Sequence, residues 1–273
     1  MDNSGRYSFE TQGIGLNSVV NARELGGYRM PDGSVIKRGR LLRGGALNRL
    51  SPEDLKLLTD RYHLSRIFDF RTSFEVKRTP DMEIPGASRI WLPAFDEDSM
   101  QMEKLSLPSE AYRDLVSWLT LHASEKKVQE VARDMYTVMI TTEFTQVQYA
   151  GFFLNILNSE EGAVYWHCSQ GKDRTGLGAA LMLAALGADR KLIMEDYEIS
   201  NEVYRQEVEE IYGRLATEEE KEAALTFIGV NSRYFSAALD TVEEQYGSLL
   251  GFLKGPICLS EEDIRSLRER FLE

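Results

Sequence analysis

Residues 164–176, Val-Tyr-Trp-His-Cys-Ser-Gln-Gly-Lys-Asp-Arg-Thr-Gly, constrain this chain more than any other stretch. A short apolar run, Ala163 to Trp166, leads into a histidine and a cysteine. An arginine stands six positions after that cysteine, and an apolar helical pattern follows from Thr175. The order predicts a buried strand, a tight loop and a helix N-terminus. Five residues between Cys168 and Arg174 suffice for the loop amides to point inward, and the helix end closes the ring as an anion cradle. Arg174 adds a planar fork that takes two oxygens of a phosphate at once. The same positive field favours thiolate over thiol at Cys168 and aims it at a bound phosphorus. The competing nucleotide loop GxxxxGK[ST] fails, because Asp173 follows Lys172 and no glycine lies five positions before Gly171.

A local cradle is needed because the chain as a whole repels anions. Its 273 residues carry 32 Lys+Arg against 44 Asp+Glu, a formal charge of −12. That field disfavours nucleic acid and anionic membrane as partners. The 42% of hydrophobic residues is ample for a core. Two cysteines, Cys168 and Cys258, exclude a disulfide scaffold, and neither they nor His63, His122 and His167 make a metal-ligand spacing. No metal or cofactor is expected. The start, MDNSGRYSFETQG, lacks a secretory pattern, and the longest apolar stretch, Leu177 to Ala188, is too short to span a bilayer. A cytoplasmic location is the expectation.

Along the chain, residues 19–49 read as short strands and turns around Pro31-Asp32-Gly33. Residues 21–49 hold seven basic residues against two acidic ones, so some of these arginines are candidates to border an anion site. Ser51-Pro52 opens a helix. Arg66–Phe70 and Ser88–Leu92 read as strands, residues 109–158 as helical, and Ser260 with Asp263 as a capped last helix. Strands alternating with helices predict an α/β fold: a central, mostly parallel sheet flanked by helices. Residues 1–18 read as a lead-in and 19–273 as one domain. Met135, Val138, Met139 and Ile140 at helical spacing read as core, and Cys258 as a buried small hydrophobe.

His167-Cys168-x5-Arg174-Thr175 resembles the signature of the cysteine-dependent protein tyrosine phosphatases. HCSQGKDRTG resembles more narrowly the bacterial family of mycobacterial secreted tyrosine phosphatase B and lipid-phosphatase-like enzymes. NARELGGYRMPDG, GRLLRGGAL, FDFRTSFE with Pro80-Asp81, DYEISN and YGSLLGFLKGPICLSEEDIRSLR are similar to segments of that family too, so the likeness spans about residues 17–272. It implies a phosphatase fold, metal-free hydrolysis of phosphotyrosine, and, in some relatives, of phosphoserine, phosphothreonine and phosphoinositides. It also implies that helices, here residues 109–144, can lid the site.

In this reading Cys168 is the nucleophile, while Arg174 and the backbone of Ser169, Gln170, Gly171 and Lys172 hold the phosphoryl oxygens. Thr175 is a candidate donor to the returning thiolate, and His167 a support for the loop. Two carboxylates compete as general acid. The family resemblance points to Asp173, inside the loop, whereas better-known tyrosine phosphatases use a separate loop, which here would offer Asp96 or Asp98. Lys172 is a surplus cation, suited either to a second phosphate or to an acidic neighbour. Arg40, Arg43 and Arg71 are weaker rim candidates. Asp69 and Arg71, two apart on a strand with Glu75 after them, suit an internal ion-pair network. A phospho-binding module without turnover is the reading from another class; filled nucleophile and acid positions argue against it.

Overall fold

The computed structural model describes residues 7–95, 126–159, 161–212 and 229–273. Its sheet has five strands: β1 (Arg23–Glu24), β2 (Leu41–Gly44), β3 (Arg66–Asp69), β4 (Ser88–Trp91) and β5 (Val164–His167). They lie in the order β1-β2-β5-β3-β4, all parallel except β1, which runs antiparallel to β2. Among the described strands β5 is the last in sequence and the middle one in space. Its carboxyl end therefore opens at the centre of the sheet edge where open α/β sheets take ligands.

Side chains alternate between the two faces, as a pleated strand requires. Leu41, Phe68, Val164 and Trp166 enter one core, and Leu42, Ile67 and Tyr165 the other. The second core is closed by α2 (Pro52–Lys56), capped by Ser51 as the sequence predicts, and by a π turn at Leu57–Arg61. α1 (Phe9–Gln12) precedes the sheet and α3 (Ser73–Arg78) follows β3. On the first face lie α4 (Lys126–Thr141), α5 (Glu143–Leu157), α6 (Asp173–Leu186) and α7 (Arg190–Val203), then, after α8 (Arg205–Tyr212), α9 (Ser232–Tyr246), α10 (Leu249–Lys254) and α11 (Glu261–Phe271). Within the helical pattern expected to residue 158, α4 and α5 part at Thr142, whose hydroxyl accepts from the amide of Thr145 and starts α5. Residues 109–125 of the expected lid lie outside the described residues.

α6 is the pivot. Every residue from Thr175 to Leu186 is buried, so the helix is apolar on all sides and is held by α4, α7, α10, α11 and β5. A helix fixed this firmly fixes the loop at its N-terminus. The closing helix α11 carries the capping box that Ser260 and Asp263 predict.

Candidate active site

β5 delivers His167, the loop runs from Cys168 to Lys172, and α6 begins at Asp173. Cys168 is 2% exposed. The carbonyls of the loop are all engaged from around it. That of Cys168 lies 3.1 Å from His167 Nδ1; that of Ser169 accepts from the Ala46 amide at 3.2 Å; that of Gln170 accepts from the Tyr204 hydroxyl at 2.7 Å. The Gly171 carbonyl accepts from Asn21 Nδ2 and Arg43 Nη2, both at 2.9 Å, and that of Lys172 from the Gly176 amide at 2.8 Å. In a planar trans peptide the next N–H points opposite to each carbonyl. The amides of Ser169 to Asp173 are thereby turned away from those donors. Gly171 has φ +70°, and a Cβ there would lie 2.2 Å from the carbonyl carbon of Gly44. The Gly44-Gly45 turn and Gly171 touch backbone to backbone, which only glycine permits.

Arg174 stays at the loop. Its Nη1 and Nη2 donate to Glu75 Oε2 and Oε1 at 2.6 and 2.8 Å, and the Ser169 hydroxyl donates to the same carboxylate at 2.5 Å. Glu75 is set by the capping box of α3, in which Thr72 Oγ1 accepts from the Glu75 amide and Glu75 Oε2 from the Thr72 amide. Burial alone would raise the Glu75 carboxyl, but the Arg174 charge and these donors hold it far below the ordinary carboxylate range. A depressed carboxyl lends stability above its unfolded pKa of about 4.3 and loses it as the pH falls toward the folded value. The stability difference between the parent and Glu75→Gln is thus expected to be largest near neutrality and to narrow below about pH 4. Urea unfolding across a pH series checks this; a difference independent of pH would contradict it.

Two charge networks back the loop. On one side Arg71 donates to Asp69 at 2.8 and 2.7 Å and to Asp81 at 2.7 Å, and His167 Nε2 lies 3.2 Å from Asp81 Oδ2. Burial would raise Asp81, yet His167 and Arg71 pull it below its ordinary value. Asp69, Asp81 and His167 could by spacing surround a cation, and the buried Arg71 guanidinium supplies that charge. On the other side Asp196 accepts from Arg23 Nε at 3.2 Å, from Tyr28 at 2.9 Å and from Arg43 Nη1.

The remaining sequence candidates divide. The Asp173 carboxylate accepts from the Tyr136 hydroxyl. Lys172 is 3% exposed, and its ammonium donates to the Gly229 carbonyl at 2.8 Å over the Tyr204 ring. The Thr175 hydroxyl is buried without a partner among the described residues. Asp96 and Asp98 lie outside the described residues.

The sequence pattern of the tyrosine phosphatase family matches residues 14–273. The chain belongs to that family. It is 28% identical to a tyrosine-protein phosphatase assigned in Cupriavidus necator over 263 residues, 95% of this chain and 88% of that one. It is 29% identical over 240 residues to the triple specificity protein phosphatase PtpB of Mycobacterium tuberculosis, 81% of this chain and 87% of the relative.

For this tyrosine phosphatase three sequence expectations need correction. Arg43 does not line the rim: it is fully buried and engaged by Asp196 and Gly171, whereas Arg71, also fully buried, lies in the ion-pair network with Asp69 and Asp81 to which the sequence suited it rather than at the rim. Arg40 is at the wrong end of the sheet, since its carbonyl accepts from the Val164 amide at the start of β5. Cys258 is exposed, because a left-handed turn (φ +61°) after α10 sends Ile257 and Leu259 inward and Cys258 out. Met139 and Ile140 are core as expected, with Met135 packed against it and Val138 half-buried. Tyr136, Tyr197, Asn21 and Asp196 were not legible as site residues; DYEISN, which holds Asp196 and Tyr197, was the one signal that pointed near them.

Proposed function

We propose that this phosphatase hydrolyses phosphomonoesters, phosphotyrosine foremost, through a cysteinyl-phosphate on Cys168, and that residues 19–273 are one catalytic domain. The observation that carries this is the loop itself: its five carbonyls engaged, that of Lys172 by the first turn of α6 and the others by groups around the loop, with a buried cysteine at its start and the Arg174 fork at its end. In the first step the Cys168 sulfur anion bonds to phosphorus while the phosphorus–oxygen bond to the leaving group breaks. The electron pair leaves on that oxygen, which takes a proton from Asp173. In the second step a water oxygen attacks phosphorus, its proton returns to Asp173, and the sulfur leaves as thiolate beside the Thr175 hydroxyl. The loop amides of Ser169, Gln170, Gly171 and Lys172 and the Arg174 fork stabilise the charge on the equatorial oxygens in both steps. His167, Asp69, Arg71 and Asp81 hold the loop.

The broader part of the reading is turnover of phosphoserine, phosphothreonine and phosphoinositides. Its support is the name of the mycobacterial relative, a triple specificity phosphatase. The buried Lys172 ammonium, already bound to the Gly229 carbonyl, does not add to it. Among the described residues no helix is long and apolar enough to cross a membrane.

Asp173→Asn tests the proton donor. With phenyl phosphate, a poor leaving group, kcat is expected to fall by about 10²–10⁴ and its basic limb to vanish, while p-nitrophenyl phosphate is far less affected. A retained basic limb would move the role to Asp96 or Asp98.

A further inference from the structure

The hydroxyls of Tyr197, Tyr136 and the carboxylate of Asp173 form a chain that joins three helices. Tyr136 stands on α4, Tyr197 on α7 and Asp173 at the first residue of α6. The two hydroxyl oxygens are 2.7 Å apart, and Tyr136 also bonds to Asp173 Oδ1. All the placement is firm: Tyr197 is fully buried and stacked on Phe235 at 3.7 Å, and Tyr136 is 4% exposed. The Tyr197 ring lies so close to α6 that a Cβ on Gly176 would sit 2.9 Å from it. An ionised carboxylate only accepts, and each phenol has one proton to give. The direction of the chain is therefore fixed: Tyr197 donates to Tyr136, and Tyr136 donates to Asp173 Oδ1.

We propose that Tyr136, backed by Tyr197, is the positioning residue of the proton donor, reserving Asp173 Oδ2 as the oxygen that carries the proton to the leaving group. This rests on Asp173 being the general acid. A proton on Oδ1 would have to displace the Tyr136 donor and reverse the chain; a proton on Oδ2 leaves both hydrogen bonds intact. The chain therefore selects one oxygen and holds its plane against rotation. Burial and the neighbouring Asp173 charge keep the Tyr136 phenol well above the ordinary tyrosine range, so it remains a donor throughout the working pH span. Other charged and titratable groups face Asp173 as well. They are Lys172 and Arg174 beside it, Cys168 across the loop, Arg43 on β2 behind Lys172, and Tyr204 at the end of α7. They stay in place when only a phenol oxygen is removed.

A hydrogen bond donated to the ionised form favours that form. Tyr136→Phe is therefore expected to move the basic limb of kcat with phenyl phosphate upward by about one pH unit. It should also lower kcat at the optimum for phenyl phosphate by about tenfold more than for p-nitrophenyl phosphate. Tyr197→Phe, which leaves Tyr136 free to donate, should move the limb the same way by less. If Tyr136→Phe does not fold, Tyr197→Phe reads the same chain. Unmoved limbs in the folded variants, or equal losses for both substrates, would overturn the proposal. Asp173→Asn separates it from the reading beneath: a limb that survives Asp173→Asn removes Asp173 as the acid, whereas a limb lost there but unmoved by Tyr136→Phe removes only the positioning role.

Discussion

Cys168→Ser is expected to lower turnover of p-nitrophenyl phosphate by about 10⁴-fold or more while leaving the fold and phosphate affinity intact. A serine hydroxyl is not ionised near neutrality and is a far weaker nucleophile than a thiolate, because it would have to give up its proton as it attacks. Everything that binds the anion survives the change. The amides are oriented by donors to the carbonyls, none of which is the sulfur, and Arg174 is anchored by Glu75. The variant should thus bind a phosphotyrosine peptide at least as tightly as the parent does, measured by calorimetry, and release no phosphate. The pairing also settles the class of function. A parent that binds the peptide but releases no phosphate would be a recognition module, and a serine variant within tenfold of the parent would remove Cys168 as nucleophile.

The legibility of this site in the sequence follows from how far each contact reaches along the chain. The strand, loop and helix of residues 164–186 are local, and their period and composition predict them. The same holds for the alternation of Ile67 and Phe68 between two cores and for the caps at Ser51 and Ser260. Partner choice is not local. Arg40 and Arg43 look alike in GRLLRGG, yet three residues along a strand span about 10 Å, which separates the start of the sheet from the loop. The partner of Arg43 lies 153 positions away, and that of Arg174 lies 99 positions away. Tyr136 falls in a helix whose spacing reports a buried face but not that one hydroxyl on it ends at Asp173. Charge patterning in 21–49 reports an excess of cations but not where each one goes. It could not show that two of them, Arg23 and Arg43, act from behind the loop.

That arrangement makes Asp196→Ala the most damaging change outside the loop. Asp196, Arg23 and Arg43 are all buried, so one carboxylate faces two guanidinium groups and one positive charge is left over. Burial and the Arg23 charge already push Arg43 down to about 10, and Asp196 leads the groups that oppose them. Removing a partner from a buried ion pair costs about 3–5 kcal/mol, because the remaining charge stays desolvated. Here two are stranded, against a total stability of about 5–15 kcal/mol for a folded domain. The melting temperature should fall by about 10 °C or more. Asp196→Asn, which keeps the volume and an acceptor, should fall between the variant and the parent. The loss reaches the chemistry through Arg43, which Asp196 aligns and which in turn holds the Gly171 carbonyl outward. Once that guanidinium is free to turn, the Gly171 carbonyl keeps only the Asn21 donor, and the Lys172 amide on the far side of the same peptide plane is held less firmly. The folded fraction of Asp196→Ala should therefore also show a reduced kcat at a temperature well below its melting point. A variant that melts within about 2 °C of the parent would mean that the leftover charge is compensated by water rather than by Asp196.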